Sequence, residues 1–390
     1  MAVAMARGLP DRPPLMCQLA LGHYFLNTDL GEVEIWHDSQ AFAQALARLQ
    51  GRYGFDGILV NLPGRDPQWR RHMRGIAPDG RGNRVVRWSD GSFTVAPPDD
   101  NPHVYDEAGE ARTVPLETVD PDALFYVEPH DLSGVTYPYS WGFGGEVAPV
   151  GGPGFFPPWH FDTLRQVRAL AGPDVSVHAE LFSPFTQLLE LLGYTEGLMA
   201  LLVDAGKCRA ILERLAEGAA CLGGLFARED VDAVLVSSAF AGAGFISRAH
   251  YEAFELPFLR RVVEGIRAVR PGLPVYVHTC GAIGDRLDLL EASGVDGIDT
   301  LDPPPLGTVH LAEALEILGK RVFIKGNLDP VHTVLAGTPA EVREAALERL
   351  RLAAPGGAYI LSTACSVPPA TPPENLLALG EAVGVFDGQG

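Results

Sequence analysis

Three side chains that bind soft metal ions stand at positions that a parallel sheet would bring together. His278 and Cys280 are two apart in the apolar run Val275-Tyr276-Val277-His278-Thr279-Cys280-Gly281, which has the length and β-branched content of a buried strand. Residues two apart on a strand project from the same face. Cys365 directly follows another such run. One imidazole nitrogen and two thiolates suit Zn²⁺, and three protein ligands leave a fourth coordination position open.

A second same-face pair, His178 and Glu180, stands on the run Val175–Leu181. A carboxylate beside an imidazole at the end of a strand could bind substrate, orient a metal ligand or transfer a proton. The alternative is a polar cluster that caps the strand ends and has no chemical role. We predict that both residues bind substrate and that Glu180 is also catalytic.

The segment of residues 137–161 is dense in glycine, proline and aromatic residues. It is either an ordered surface loop or a lid that closes an apolar pocket over the substrate. On the second interpretation, Trp141 and Phe156 contact the substrate. The aromatic residues of the segment include Tyr139, Trp141, Phe143, Phe155, Phe156 and Trp159.

These candidate residues require a scaffold of parallel strands. From Val175 onward, short apolar runs alternate with helical patterns, which indicates a parallel sheet with both faces covered. Eight runs are present, and eight favours a closed (β/α)8 TIM-type barrel, whose chemistry lies at the carboxyl ends of its strands. The predicted strands are Phe55–Leu62, Ala123–Val127, Val175–Leu181, Val231–Ser238, Pro274–Gly281, Val295–Leu301, Arg321–Leu328 and Ala358–Ala364.

We predict one barrel domain over residues 1–390, with an N-terminal extension and two excursions. The first is a hairpin at about 84–97, because the pattern alternates around Asp90-Gly91. The second is the aromatic-rich segment at 137–161. Helix start signals are clear in Thr338-Pro339-Ala340-Glu341, which combines an N-cap threonine, proline at the first helical position and a glutamate at the third.

Composition excludes several classes of protein. The formal net charge of −19 argues against a broad nucleic-acid surface. No apolar run reaches the roughly 18 residues of a membrane span, and the N-terminus carries no signal-peptide pattern, so we expect a cytoplasmic protein. Five scattered cysteines indicate buried thiols, metal ligands or nucleophiles rather than disulfides. Cys208 and Cys221 fall in helical pattern and should pack. A homodimer is compatible with the sequence.

The chain resembles the uroporphyrinogen decarboxylase superfamily, and within it the branch of corrinoid-dependent zinc methyltransferases such as the methylcobamide:thiol methyltransferases. The resemblance runs from about Val175 to the end. It implies a (β/α)8 barrel, zinc on His278, Cys280 and Cys365, and a corrinoid (cobalamin) that is free or carried by a partner corrinoid protein. The motifs that carry it are Leu181-Phe182-Ser183-Pro184-Phe185, His278-Thr279-Cys280-Gly281, Gly294-Val295-Asp296-Gly297, Gly326-Asn327-Leu328-Asp329-Pro330 and Thr371-Pro372-Pro373-Glu374-Asn375.

One departure concerns the substrate. The decarboxylases carry an arginine-rich N-terminal segment for a polycarboxylate porphyrinogen, whereas Arg12-Pro13-Pro14-Leu15-Met16-Cys17-Gln18 has no paired arginines. The resemblance therefore implies methyl transfer between a corrinoid and a small molecule, either a thiol acceptor or a methoxy or other methyl donor, as in O-demethylation. The alternatives are a cofactor-free decarboxylase and a non-catalytic protein that binds a corrinoid or a thiol.

Overall fold

The computed structural model describes residues 1–110, 113–129 and 151–388. The strands of the described residues are β1 (Gly57–Val60), β2 (Met73–Pro78), β3 (Arg84–Trp88), β4 (Phe93–Ala96), β5 (His103–Tyr105), β6 (Ser176–Phe182), β7 (Ala233–Ser237), β8 (Val275–Thr279), β9 (Gly297–Thr300), β10 (Phe323–Leu328) and β11 (Tyr359–Thr363). Seven of them are parallel and form a curved sheet in the order β1-β6-β7-β8-β9-β10-β11, in which each strand pairs with the next strand of this sheet along the chain.

An extended segment near the N-terminus occupies the eighth position of the barrel. Leu15 forms a parallel bridge with Leu361 of β11, and Leu19 forms another with Val367. On its other side, the Asp56 amide, directly before β1, donates to the Leu15 carbonyl at 2.7 Å. This segment therefore links the two ends of the seven-stranded sheet and completes the predicted barrel architecture.

The eighth strand predicted at Ala123–Val127 is wrong. Residues 121–123 form a short 3₁₀ turn, and no strand follows in the described stretch up to residue 129. Leu124, Phe125, Tyr126 and Val127 are all buried, and Phe125 and Tyr126 pack against Phe155 and Phe156. Burial without strand pairing produces the same apolar run as a strand, which explains the error.

Helices cover the outside of the barrel. The helix after β10, Pro339–Ala353, begins with the predicted capping box of Thr338 and Glu341. The pattern at 248–270 forms two helices that meet at Glu255. In the described parts of the chain, the helices are Ala2–Met5, Leu21–Asn27, Glu32–His37, Ser39–Tyr53, Trp69–His72, Asp162–Leu170, Pro184–Leu192, Tyr194–Val203, Ala205–Phe226, Arg248–Phe254, Leu256–Val269, Leu287–Ala292, Leu311–Leu318, Pro339–Ala353 and Pro373–Asp387. Among the described residues, no helix is long and apolar enough to cross a membrane.

Two layers of apolar side chains hold the barrel together. The larger lies between the sheet and the helices, where Val177, Ala179 and Leu181 of β6 contribute. The smaller fills the barrel interior with side chains of alternate strand positions, among them Leu235 and Tyr276. Polar residues at inward positions of the same strands therefore have to find hydrogen-bond partners inside the barrel or at its mouth.

The predicted hairpin around Asp90-Gly91 is present as β3 and β4. It is part of a larger four-stranded antiparallel sheet, β2-β3-β4-β5, that leaves the barrel after β1. Trp69 and Trp88 pack beneath this sheet and tie it to the helix Glu32–His37 through Val33. His37 of that helix stacks on Trp69 with ring centroids 5.3 Å apart.

Candidate metal centre

The structure brings the three predicted ligands together at the barrel mouth. His278 is the fourth residue of β8, Cys280 follows the strand directly, and Cys365 stands two residues after β11. The His278 Nε2 lies 3.2 Å from the Cys280 Sγ, and the two sulfur atoms are 3.4 Å apart. One ligand atom from each of the three residues lies within 4.8 Å of the others.

These distances fit a single tetrahedral zinc ion. Zinc bonds of about 2.3 Å to sulfur and about 2.0–2.1 Å to nitrogen place neighbouring ligand atoms roughly 3.5–3.8 Å apart in a tetrahedron. The separations of Cys280 from His278 and from Cys365 are slightly shorter than these values, so binding needs only a small movement of the Cys280 side chain away from its two neighbours. His278 is buried, and both cysteines are partly exposed, so a fourth ligand can approach from solvent.

Asp299 and Lys325 orient His278 from behind. The His278 Nδ1 lies 3.3 Å from the Asp299 Oδ2, and the Lys325 Nζ donates to the Asp299 Oδ1 at 2.9 Å. All three side chains are buried. A histidine that donates from Nδ1 to a carboxylate presents Nε2 to a metal, so this contact selects the tautomer that zinc binding needs.

The charges of the site favour a bound thiolate. The hydrogen bond from Cys280 and the charge of His278 outweigh burial and hold the pKa of Cys365 well below its ordinary value. The Cys280 thiol, which is the donor in that contact, has a raised pKa. Burial lowers the pKa of His278, but the contacts with Asp299 and Cys365 outweigh burial and raise this pKa to about 10. Metal binding here would therefore release protons from His278 and Cys280.

Glu180 lies close enough to His278 for the charge of that ligand to act on it, whereas His178 lies deeper in the barrel. Burial raises the pKa of Glu180 to about 7, and the charge of His278 and a hydrogen bond with Ser237 lower it only in part. His178 is one strand repeat, about 6.6 Å, further into the barrel. Its ring nitrogens contact the hydroxyls of Tyr276 at 2.8 Å and Ser176 at 2.9 Å. The structure thus places Glu180 where it could meet a substrate and places His178 in an internal polar network.

The described part of the aromatic segment is packed rather than open. Phe156 is 5% exposed, and its ring lies 5.4 Å from Tyr126 and 5.5 Å from His160. His160 in turn lines a narrow cavity with Glu180. Trp141, the other predicted substrate contact, lies outside the described residues, as do Tyr139 and Phe143.

We expect Phe156→Ala to act on the fold and on substrate binding but not on the metal. Removing a buried ring should lower the free energy of unfolding by about 3–5 kcal/mol. Loss of support for His160 should raise the Michaelis constant for the methyl-bearing substrate that the sequence predicts, while zinc content should stay at the wild-type level. Denaturant unfolding, metal analysis and steady-state kinetics measure the three effects. Phe245→Ala is the control, since Phe245 is 50% exposed. A loss of bound zinc in Phe156→Ala as large as the increase in the Michaelis constant would contradict this prediction.

Sequence reasoning missed several residues of the site. Asp299 and Lys325 are charged residues inside otherwise apolar strand runs, and that anomaly was a usable signal. Asp302, whose carboxylate accepts from the Gly281 amide at 2.6 Å, fixes the turn after Cys280. Glu128 and Arg65 approach from loops whose positions depend on the tertiary structure. No local pattern marks them.

Glu128 lines the same cavity as Glu180 and is 7% exposed. Burial raises its pKa from 4.5 to about 8, and the charges of Glu180 and Glu190 add to the increase, while Tyr126 and Arg65 lower it. The folded state therefore binds more protons than the unfolded state between about pH 4.5 and 8. The slope of the free energy of unfolding against pH is proportional to the number of protons bound in the unfolded state minus the number bound in the folded state. This difference is negative here, so stability must fall as pH rises through this window.

We expect Glu128→Gln to remove this pH dependence. Glutamine has the shape of the protonated acid but cannot ionise, so the variant should gain stability relative to the wild type as pH rises from 5 to 8. The gain should be on the order of a few kcal/mol. Denaturant unfolding across this pH range measures it, and the exposed Glu117→Gln serves as the control. Parallel stability curves for wild type and Glu128→Gln would refute the assignment.

Comparison with known proteins places this site in a family. Residues 156–385 match the sequence profile of uroporphyrinogen decarboxylase (URO-D). The uroporphyrinogen decarboxylase of Gloeobacter violaceus is 36% identical over 141 residues, which are 36% of this chain and 38% of that protein. That of Synechocystis sp. is 30% identical over 169 residues, 43% of this chain and 45% of that protein. These matches cover less than half the length of either relative.

A solved structure shares the fold over nearly the whole chain. A methyltransferase from Methanosarcina mazei superposes with a TM-score of 0.70 and covers 99% of this chain and 97% of its own, at 17% sequence identity. At this identity the likeness concerns the fold alone. It agrees with the barrel of parallel strands described above. The profile match covers more than half of the chain and includes all three candidate ligands, and the chain therefore belongs to the uroporphyrinogen decarboxylase (URO-D) family.

Proposed function

We propose that this protein is a zinc-dependent methyltransferase that moves a methyl group between a corrinoid and a small substrate. The observation that carries the proposal is the cluster of His278, Cys280 and Cys365, with Asp299 behind the histidine. Bound there, Zn²⁺ would supply a Lewis acid that activates a thiol acceptor or a methyl donor at its open position.

The residues of the chain have separate roles in this proposal. His278, Cys280 and Cys365 hold the metal, and the Asp299–Lys325 pair fixes the orientation of the imidazole. Glu180, with a pKa of about 7, can hold or accept a proton at the mouth near neutral pH. A corrinoid, free or on a partner protein, would have to approach the barrel mouth, because the reacting carbon must meet both cobalt and the activated group.

The burial of the site supports transfer rather than hydrolysis. Asp299, Lys325 and His278 are each at most 5% exposed, so water has little access to the histidine side of the metal. Electrostatic interactions are stronger where water is excluded. A methyl group could therefore pass between two bound partners without competition from bulk water on this side.

The experiment is a two-way methyl-transfer assay on zinc-loaded protein. One direction supplies methylcobalamin and small thiols, and the other supplies cob(I)alamin and a panel of methoxy and other methyl donors. The corrinoid absorption spectrum reports loss or gain of the cobalt-bound methyl group. Turnover in either direction that requires zinc supports the proposal. Zinc-loaded protein that transfers no methyl group in either direction, with the panel supplied free and with corrinoid protein, contradicts it.

A second candidate function is cofactor-free decarboxylation, since the curated relatives matched here are named uroporphyrinogen decarboxylase. Two observations argue against it. Arg12 forms an ion pair with Asp56, which directly precedes β1 and so lies at the end of that strand away from the barrel mouth. The sequence contains no other arginine between Arg12 and Arg48. We expect no CO₂ release from uroporphyrinogen. Release at an enzymatic rate from zinc-free protein would favour this second function over methyl transfer.

A further inference from the structure

Two of the three candidate metal ligands are thiols in contact with each other. The Sγ atoms of Cys280 and Cys365 are 3.4 Å apart, although the two residues are 85 positions apart in the chain. Both cysteines are free. A disulfide bond is about 2.0 Å long, so the sulfurs need to approach each other by only about 1.4 Å to form one. The pair is therefore close to the geometry of a disulfide as well as to that of a zinc site.

The backbone holds these two thiols side by side. The Cys280 amide donates to the Ala239 carbonyl at 3.3 Å, in the loop that follows β7. The Cys365 carbonyl accepts from the Thr363 hydroxyl at 2.6 Å, at the end of β11. Groups that a fold fixes next to each other react as an intramolecular pair, at a far higher effective concentration than two thiols in solution. Bond formation between them should therefore outcompete reaction with a second protein molecule.

An oxidant can reach this pair from solvent. Cys280 and Cys365 are both partly exposed, whereas Cys17 is 6% exposed and Cys208 is fully buried. Oxidation of a cysteine requires access to its sulfur atom, so the two buried thiols are protected. Cys221 is partly exposed as well, but it lies on the helix Ala205–Phe226, away from the pair. Cys280 and Cys365 thus combine exposure with a neighbouring thiol.

A peroxide supplies the oxidising equivalents in two balanced steps. In the first step, one thiol reduces hydrogen peroxide, becomes a sulfenic acid and releases one water molecule. In the second step, the other thiol attacks the oxidised sulfur, the S–S bond forms, and the hydroxyl group leaves with the thiol proton as a second water molecule. Two electrons pass from the sulfurs to the peroxide. A small dithiol reverses the reaction by exchange and is itself oxidised to a disulfide.

The disulfide and the zinc site exclude each other. Zinc binds cysteine as a thiolate, and the sulfurs of a disulfide are not thiolates. Once the bond has formed, His278 alone remains of the three ligands, and one imidazole does not make a tetrahedral zinc site. In a zinc complex, the two sulfurs would be held roughly 3.8 Å apart, which prevents the bond from forming. Oxidation should therefore block metal binding, and metal binding should block oxidation.

We propose that Cys280 and Cys365 are a site of reversible oxidation, at which a peroxide converts the metal-free pair to a disulfide that blocks zinc binding until a dithiol reduces it. The candidate metal centre would then take up zinc only under reducing conditions. The formation of the bond depends on the contact between the two thiols and not on methyl transfer. The proposal therefore goes beyond the proposed function and can be tested without an activity assay.

Intact mass and thiol counting on the full-length protein test the proposal after reaction with hydrogen peroxide. We expect metal-depleted protein to lose the mass of two hydrogen atoms, and the thiols that titrate in denaturant to fall from five to three per chain. Peptide mapping should link Cys280 to Cys365. Only the metal-free fraction should react, so free zinc at one hundred times its dissociation constant should slow the reaction by about 100-fold. Circular dichroism checks that the metal-depleted protein is folded.

Variants and reduction complete the test. Cys221→Ser is the matched control and should form the same disulfide, whereas Cys280→Ser should gain oxygen atoms on Cys365 and form no bond within the chain. Dithiothreitol should restore all thiols and zinc uptake. Metal-free wild-type protein that only gains oxygen atoms, or disulfide-linked protein that still binds zinc, would overturn the proposal. Disulfide formation in a protein that transfers no methyl group would reject only the proposed function.

Discussion

Cys280→Ser and Cys365→Ser are each expected to lose most of the bound zinc and nearly all methyl transfer. Replacing residues that only support a metal ligand weakens metal binding by about 10–100-fold, so removal of a direct thiolate ligand should exceed that range. Serine keeps the size of the side chain but is not ionised near neutral pH. Metal analysis after dialysis and the two-way transfer assay measure the two losses.

The control for this prediction is Cys221→Ser. Cys221 is a partly exposed thiol on the helix Ala205–Phe226, away from the three ligands, so the same chemical change should leave zinc and turnover intact. The fold should survive in all three variants, because the barrel core does not include the metal ligands. Wild-type zinc content in both zinc-site variants would show that the three side chains are not the ligands.

Lys325→Met is expected to affect both stability and metal binding. The Lys325–Asp299 pair is buried, with both side chains 2% exposed. Removing the lysine leaves the carboxylate of Asp299 without its main counter-charge, which should lower the free energy of unfolding by about 3–5 kcal/mol. Asp299 then holds His278 less well, and zinc affinity should fall by about 10–100-fold. Denaturant unfolding of the zinc-free protein and zinc titration with a competing chelator measure the two effects separately.

A double variant distinguishes the ion pair from simple packing. Adding Asp299→Asn to Lys325→Met removes the unpaired charge while the amide oxygen can still accept from His278, so part of the lost stability should return. A packing effect alone would give additive losses in the double variant. Unchanged stability in Lys325→Met would mean that the pair does not hold the histidine.

The sequence predicted those parts of the site that depend on strand periodicity. His278 and Cys280 share a face because they are two apart on β8, and the closed barrel brings Cys365 to them from β11, three strands further around the sheet. Strand periodicity was not enough to assign a role to His178, because it predicts the face of the strand from which a side chain projects but not how deep in the barrel that side chain lies. His178 projects into the barrel interior, where Tyr276 and Ser176 bind its ring.

Other features depended on contacts between distant segments. Ala123–Val127 has the composition of a strand, but its side chains enter an aromatic cluster and the extended segment around Leu15 pairs with β11 instead. Arg65 and Glu128 come from separate loops, and their burial follows only from how those loops fold over the mouth. A local sequence pattern contains no information about such burial, so these two residues could be found only in the three-dimensional structure.

The coordination of zinc in the purified protein can be measured directly by X-ray absorption at the zinc edge, on protein loaded with one equivalent of metal. We expect two sulfur neighbours at about 2.3 Å and lighter neighbours, from His278 and a solvent ligand, at about 2.0–2.1 Å. Addition of a thiol acceptor should add a third sulfur if that direction of transfer applies. A zinc environment made of oxygen and nitrogen alone, or a protein that retains no zinc, would show that His278, Cys280 and Cys365 do not form a zinc site.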